Sequence, residues 1–252
     1  MQLTHEQKVH LYEKGYVKLP GVVPKPLVER ARKHINHSVG NGMNVDEMIT
    51  FRSQSFCPEV KNTEVISDLY NGTPIRSMAE SVIGKDMLHP IGGAQIALRF
   101  PMLIDPPNKP GAHIDGTYSP HNGVKQGQLS NFTGLVGVFL SDVSEPNSGN
   151  FTVWPGSHHL FAEYVKKNGP ESLIPGMPKI DMPEPVQITA NAGDAVLCHY
   201  LLAHGIAPNV SANIRYGIFF RLTHVEHYQD WTASLKDIWL QWPGIKETLQ
   251  LA

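Results

Sequence analysis

The sequence predicts a mainly β protein with flanking α-helices, in which the helices come first and short strands follow. Gly and Pro are abundant, at 22 and 20 of 252 residues, which is typical of a chain with many turns. Near residue 91 the hydrophobic pattern changes from a helical repeat to short apolar runs of strand length. Helical and strand segments segregated in this way favour a strand sandwich or barrel backed by helices.

The first 90 residues are predicted to be mainly helical. Thr4 and Gln7 form a capping-box pattern at the start of a helix that ends at Gly15. Pro24 and Pro26 are placed to open a second helix, because proline is favoured in a first helical turn. The other predicted elements are a strand at 16–19, a loop-rich cover at 38–60 and helical residues 62–83 interrupted at Asn71-Gly72.

Residues 91–225 are predicted to form the β core. The predicted strands cover residues 92–100, 135–140, 151–154, 186–189, 195–203 and 214–225. In the closing segment, 226–252, Trp231, Leu235 and Trp239 recur at near-helical spacing, which predicts a helix that packs on the sheet. Because no repeat or low-complexity linker divides the chain, we expect a single domain spanning residues 1–252.

Charge and composition exclude several classes of function. The formal net charge is -2 and no dense run of Lys or Arg is present, so we expect no nucleic-acid partner. Cys57 and Cys198 lie far apart without a CxxC pattern, which favours a reducing compartment over a disulfide framework. No apolar stretch approaches the roughly 20 residues that a membrane-spanning helix needs. We therefore expect a cytoplasmic protein with no membrane partner.

The segment His113-Ile-Asp115 carries the main chemical signal. Side chains two positions apart in an extended segment point to the same side, so the His113 imidazole and the Asp115 carboxylate can converge on one ion. An imidazole nitrogen with a carboxylate oxygen suits a divalent first-row metal. A His-x-Asp pair alone is weak evidence, because a surface histidine near an acid gives the same pattern.

A third metal ligand is expected near the end of the apolar run that follows Gly193. His199 and His204 are the two candidates. In a continuous strand, alternation places His204 on the same side as Cys198 and Tyr200, with His199 on the other side. His204 is the favoured ligand because it lies at the end of the strand. The alternative role for His199 is that of a buried structural histidine. Two histidines and one carboxylate leave one face of an octahedral metal open.

Arg215 follows His204 by eleven residues, at the start of the last predicted strand. Residues 207–213 are rich in turn formers, so the chain is expected to reverse and lay Arg215 beside the strand of His204. A buried guanidinium needs an anionic partner, and a carboxylate that accepts two hydrogen bonds fits it best. A small dicarboxylate bound to the metal would provide one. An ion pair with an internal Asp or Glu is the alternative.

Together these residues resemble the phytanoyl-CoA dioxygenase-like family of Fe(II)/2-oxoglutarate-dependent oxygenases. The resemblance covers nearly the whole chain. It rests on Leu3-Thr-His-Glu-Gln, Gly15-Tyr-Val-Lys-Leu-Pro-Gly, His113-Ile-Asp115, Asn147-Ser-Gly-Asn-Phe-Thr-Val-Trp-Pro155-Gly-Ser-His158, Gly193-Asp-Ala, His204 and Arg215. It implies a double-stranded β-helix, the jelly roll of cupin-like proteins, with the N-terminal helices packed on it and a metal at its open mouth.

The resemblance also implies the chemistry and its residues. Fe(II) would bind His113, Asp115 and His204, and Arg215 would hold the distal carboxylate of the cosubstrate 2-oxoglutarate. With O2, 2-oxoglutarate would be decarboxylated to succinate and CO2 while a small organic substrate is hydroxylated. The alternatives are a non-catalytic metal-binding sensor or scaffold of the same fold and a 2-oxoglutarate-independent cupin-type metalloenzyme. Arg215 argues against both, because neither needs an anchor for a dicarboxylate.

Three further residues are candidates for cosubstrate contacts. Gln95 and Arg99 share one face of the strand before the His-x-Asp motif, where the resemblance implies such contacts. Gln95 is expected to contact 2-oxoglutarate, and Arg99 either 2-oxoglutarate or the substrate. Thr117 faces the metal if its strand persists, and is otherwise a turn hydroxyl. Some relatives have a serine that helps to hold the carboxylate where this chain has Ile206, so that position offers no hydroxyl here.

Overall fold

Two antiparallel β-sheets form the core of the computed structural model, which describes residues 1–251. The strands are β1 Tyr16–Leu19, β2 Gln95–Arg99, β3 Gly134–Phe139, β4 Phe151–Val153, β5 Val186–Gln187, β6 Ala195–His199, β7 His204–Ile206 and β8 Arg215–Leu222. One sheet has the order β1-β6-β3-β8-β2 and the other the order β5-β4-β7. The two sheets face each other and are in contact where the rings of Phe151 and Phe219 lie 5.3 Å apart. The jelly-roll prediction is confirmed, although residues 1–251 do not close it into a hydrogen-bonded barrel.

Helices cover this core, mostly from the N-terminal part of the chain. They are α1 His5–Lys14, α2 Lys25–Gly40, α3 Met48–Ser53, α4 Glu64–Asn71, α5 Pro74–Ile83, α6 Ser157–Asn168, α7 Ala233–Lys236 and α8 Pro243–Leu249, with 3₁₀ turns at Val45–Glu47 and Pro170–Leu173. The capping box of Thr4 and Gln7 is present, and Gly15 ends α1 in the left-handed conformation. Among the described residues, no helix combines the length and apolarity needed to cross a membrane.

Strand β8 separates the helical layer from the space between the sheets. Its side chains alternate, so Ile218, Phe220 and Leu222 lie on one face, where all three are fully buried. On this face the ring of Tyr70 in α4 lies 5.6 Å from that of Phe220, and the Tyr216 hydroxyl donates to Asn36 in α2 over 2.8 Å. The residues in between therefore face the other sheet.

Three predicted segments differ from the structure. Residues 38–60 were predicted to be loop-rich, but α2 extends to Gly40 and α3 lies within them. The predicted strand 195–203 ends at His199, and the chain then crosses to the other sheet before β7 begins. The prediction of a single closing helix is wrong, because turns separate α7 from α8. Helix α6 was not predicted at all, although Phe161 and Val165 form its buried stripe at helical spacing.

His199 holds the C-terminal segment against the sheet. Its Nε2 donates to the carbonyl of Ile238 over 2.8 Å, and its Nδ1 accepts from the Leu201 amide over 3.1 Å. The ring also packs against Trp239 and Trp242, with centroids 4.9 Å and 5.6 Å away. One nitrogen donates and the other accepts, so this environment fits the neutral imidazole. Accordingly, burial lowers the pKa of His199 to about 4.

Acid is therefore expected to destabilise the fold through His199. The unfolded histidine takes up a proton below its ordinary pKa of about 6.5, while the folded one resists until about pH 4. The stability that the neutral ring contributes is present above pH 6.5 and is lost as the pH falls towards 4. Between pH 7 and 5 this linkage lowers the free energy of unfolding by roughly 2 kcal/mol.

Urea denaturation at pH 7 and pH 5 measures this effect in the wild type and in His199→Gln, which cannot be protonated. We expect the loss of stability between the two pH values to be smaller in His199→Gln. His5→Gln, at an exposed position, serves as the matched control and should retain the wild-type loss. An undiminished pH dependence in His199→Gln would contradict the assignment.

Candidate metal centre

A cavity of about 520 Å³ opens between the two sheets. Its walls come from β2, β7 and β8, from the loop around His113, and from two covering segments, which contribute Arg52 and Phe56 on one side and Ser119 and Asn122 on the other. The Gln54 side chain joins the two covers by donating to the carbonyl of His121 over 3.0 Å. The volume lies within the roughly 300–1,000 Å³ of small-molecule sites.

A reciprocal pair of backbone hydrogen bonds brings His113 and His204 together. The amide of each donates to the carbonyl of the other over 2.9 Å, which makes an isolated antiparallel bridge. Residues directly opposite in such a pair project to the same face, and the two rings lie with centroids 4.5 Å apart. Gly205 permits this approach, because a Cβ at this position would collide with the carbonyl oxygen of Gly111.

Asp115 completes a group of three potential metal ligands. Its Oδ1 lies 3.5 Å from Nε2 of His113 and 3.7 Å from Nε2 of His204. The sequence argument placed Asp115 in an extended strand. Instead the chain turns after His113, and Gly116 adopts a φ of +84° at a point where a Cβ would collide with the Ser130 carbonyl. The two side chains converge as predicted, although the chain turns at Asp115 and Gly116 where a strand was expected.

Arg221 binds the other oxygen of Asp115, and sequence reasoning missed this residue. Its Nη2 and Nε lie 2.7 Å and 3.0 Å from Oδ2, and Nη2 also donates to Oε1 of Gln95 over 3.0 Å. Burial alone would raise the pKa of Asp115, but the Arg221 charge, with smaller contributions from the nearby imidazoles of His113 and His204, holds this pKa well below its usual range. The carboxylate is therefore ionised and has one oxygen directed at the two imidazoles.

The three side chains fit a divalent first-row metal. Their donor atoms all lie within 4.8 Å of one another. Nδ1 of His204 donates to the carbonyl of Leu202 over 2.9 Å, which leaves the lone pair on Nε2, the atom that faces Asp115. Two imidazole nitrogens and one carboxylate oxygen on one side of an open cavity are the donor set that suits non-haem Fe(II).

Arg215 lies in the same cavity wall with its charge uncompensated. Its Nε donates to the Gly149 carbonyl over 2.8 Å and its Nη1 to the Ala97 carbonyl over 3.0 Å. Among residues 1–251 it forms no ion pair with an acid, so the internal-pair alternative is not observed. Burial, with a contribution from Arg99, lowers the pKa of Arg215 to about 9. Gly217 makes room for the guanidinium, since a Cβ there would collide with it.

The remaining predicted residues also reach the cavity. Gln95 and Arg99 line it from β2, on the face that their alternation with buried Ile96 predicts. Thr117 lines it too, although its hydroxyl donates to the Ile114 carbonyl over 3.3 Å as part of the turn. His199 lies elsewhere, in the contact with the C-terminal segment described above.

Comparison with known proteins gives a family match and a fold match. A family model described as phytanoyl-CoA dioxygenase (PhyH) matches residues 11–217. No curated protein matches the chain.

Three solved structures show the same fold at low identity. HygX from Streptomyces hygroscopicus, crystallised with nickel and 2-oxoglutarate, has a TM-score of 0.59 at 18% identity, covering 88% of each chain. The non-heme alpha ketoglutarate dependent epimerase SnoN from nogalamycin biosynthesis has a TM-score of 0.58 at 19% identity, covering 87% of this chain and 80% of its own. The related carbocyclase SnoK has a TM-score of 0.54 at 18% identity, covering 90% and 89%.

The close approach of the backbones at the bridge between His113 and His204 lets us predict the effect of adding one methyl group at Gly205. Gly205→Ala should force the strand away from Gly111 and separate the two imidazoles, at a cost of about 1–3 kcal/mol in the free energy of unfolding. We expect weaker metal binding in anaerobic Fe(II) titrations and a lower Tm. Gly111→Ala is the matched control, because open space surrounds its Cβ. Equal Fe(II) affinity in Gly205→Ala and the wild type would show that the close approach is not required.

Proposed function

The chain belongs to the phytanoyl-CoA dioxygenase (PhyH) family, and we propose that it is an Fe(II)- and 2-oxoglutarate-dependent oxygenase that hydroxylates a small organic substrate. One observation carries this proposal. The ligand triad of His113, Asp115 and His204 and the unpaired guanidinium of Arg215 line a single cavity. A metal ion alone would account for the triad, but only an anionic ligand accounts for Arg215.

In this function the triad holds the metal through Nε2 of His113, Nε2 of His204 and Oδ1 of Asp115. Ferrous iron bound there would supply the activation of O2 that couples decarboxylation of 2-oxoglutarate, to succinate and CO2, with oxidation of the substrate. Asp115 keeps the site distinct from that of a halogenase, because its carboxylate occupies the position that a halide would need.

Arg221 determines how Asp115 is presented to the metal. By holding Oδ2 with Nε and Nη2, it leaves Oδ1 as the oxygen that is free to bind. Asp115 would therefore bind the metal through one oxygen, which would leave room beside the three ligands for cosubstrate and O2. A fixed partner beyond the ligand also orients it, as carboxylates do for metal-bound histidines.

Arg215 anchors the far carboxylate of 2-oxoglutarate. Two carbonyl oxygens fix its Nε and Nη1, and Nη2 remains available for the ligand. Charge-assisted hydrogen bonds between a guanidinium and a carboxylate are about twice as strong as neutral ones. Gln95, Arg99 and Thr117 are further candidates for contacts in this cavity. Gln95 accepts from Arg221 through Oε1, which leaves its amide nitrogen to donate to the cosubstrate.

Other outcomes of the same chemistry are distinguished by the product. The solved relatives include an epimerase and a carbocyclase, so the fold does not select hydroxylation. A product that gains one oxygen atom from labelled O2 supports the hydroxylase proposal. A non-catalytic sensor or a 2-oxoglutarate-independent metalloenzyme would form no succinate.

The experiment that tests the proposal is O2-dependent formation of succinate from 2-oxoglutarate by the Fe(II)-loaded protein. We expect succinate from the wild type and only background amounts from Asp115→Ala, because two imidazoles alone hold iron weakly. Asp181→Ala removes an exposed loop carboxylate and should match the wild type. Equal succinate formation by Asp115→Ala and the wild type would overturn the site.

Arg215→Ala separates cosubstrate binding from metal binding. The variant should raise the KM for 2-oxoglutarate by about 10- to 100-fold, the value of a charge-assisted interaction. Fe(II) affinity in anaerobic titration should stay within about twofold of the wild type, because Arg215 contacts none of the three ligands. Arg76→Ala, at the surface, is the control. A parallel loss of iron would show that Arg215 is structural.

A further inference from the structure

The cavity carries more positive charge than the proposed reaction uses. Four arginines line it against a single acidic residue, Asp115, which leaves an excess of three positive charges in a chain whose formal net charge is -2. A divalent metal and a dianionic 2-oxoglutarate would cancel each other. The excess therefore persists in the loaded site, where it would attract another anion.

Two of the four arginines have a direct anionic partner in the loaded site. Arg221 pairs with Asp115, and under the proposed function Arg215 pairs with the far carboxylate of 2-oxoglutarate. Arg52 and Arg99 remain. Within residues 1–251 neither guanidinium has a hydrogen-bond or ion-pair partner.

Arg99 is held firmly in the cavity wall. It pairs in register with Arg215 across β2 and β8, and its carbonyl accepts from Asn209 over 2.8 Å. Gly149 packs against both arginines, with a Cβ position 3.1 Å from each of their Cβ atoms. Burial and the charge of Arg52 lower the pKa of Arg99. Arg52 and Arg99 thus place two like charges in the wall of the same cavity.

Arg52 comes from the covering segment, which is pinned to the same strand. Ile96 donates its amide to the Ser55 hydroxyl over 3.0 Å, and its carbonyl accepts from the Phe56 amide over 2.9 Å. The Phe56 ring packs on Phe100, with centroids 5.9 Å apart. These contacts hold the end of α3 against β2, and both Arg52 and Arg99 line the cavity there.

We propose that the substrate bears an anionic group, a carboxylate or a phosphate, that Arg52 and Arg99 bind together while its apolar part lies against the apolar side chains of the cavity wall. This inference rests on the proposed function, because it assigns Arg215 to 2-oxoglutarate. Two guanidinium groups supply enough N–H donors for every oxygen of either anion. Apolar side chains, including Leu135, Ile206 and Phe219, line the same cavity, which favours an organic acid over a fully polar one.

The test measures binding rather than turnover. The protein is loaded with Ni(II) and saturating 2-oxoglutarate, so that Arg215 is occupied, and is titrated calorimetrically with 3-phenylpropionate, 2-phenylethylphosphonate and the neutral 3-phenylpropanamide. We expect the better anion to bind at least about tenfold more tightly than the amide. The order of the two anions tells whether the group is a carboxylate or a phosphate.

Arg52→Gln should remove most of this preference and keep the affinity for the amide. Lys125→Gln removes the same charge from an exposed loop outside the cavity lining and should retain the wild-type preference. The inference is overturned if the amide binds as tightly as both anions, if neither anion binds, or if Arg52→Gln keeps the preference.

The proposed function has its own readout in the same experiment, the heat of 2-oxoglutarate binding. If 2-oxoglutarate does not bind, the proposed function fails. The comparison of anions with the amide is then made without it and still decides whether Arg52 and Arg99 form an anion site.

Discussion

The site depends on one backbone interaction, the pair of hydrogen bonds that joins His113 to His204. These residues are far apart in the chain. In the part of the chain that the structure describes, their segments are paired only through this isolated bridge. The bridge is possible because Gly205 has no side chain, so the Gly111 carbonyl can lie against it. Once the two backbones are paired, both imidazoles project to one face, and the turn after His113 brings the Asp115 carboxylate to them.

Strand β8 connects the stability of the fold to the charge of the site. Its apolar face carries the helical layer, and burial of Ile218, Phe220 and Leu222 fixes its position. Its other face presents Arg215 and Arg221 to the cavity, one at each end. Because they lie at opposite ends of the strand, the two guanidinium groups have separate hydrogen-bond partners. Arg221 keeps Asp115 ionised and oriented, whereas Arg215 stays available for a ligand.

Local patterns in the sequence predicted much of this site. Gln95 and Arg99 follow from strand alternation, the spacing of His113 and Asp115 pointed to their convergence, and the eleven-residue interval after His204 pointed to Arg215. Alternation along one continuous strand separated His199 from His204, yet the chain changes sheets between these residues, so only the position of His204 at a strand end agrees with its place beside His113.

Arg221 and Arg52 were missed for a tertiary reason. The alternation that directs Arg215 to the cavity face of β8 also places Arg221 on this face. Nothing in the local sequence indicates that Asp115, more than a hundred positions away, is the partner of Arg221. Arg52 reaches the cavity only because Ser55 and Phe56 attach the covering segment to β2. Long-range contacts of this kind leave no periodic signal in the sequence.

We propose that Fe(II) binds between His113, Asp115 and His204 and that 2-oxoglutarate reaches Arg215 from there. Anomalous diffraction at the iron edge, from crystals grown without oxygen with Fe(II) and 2-oxoglutarate, tests it most directly. We predict one iron peak at about 2.1 Å from Nε2 of each histidine and Oδ1 of Asp115, distances typical of such ligands, and a carboxylate of 2-oxoglutarate on the Arg215 guanidinium. An iron peak away from these three atoms, or a 2-oxoglutarate that does not touch Arg215, would contradict the account.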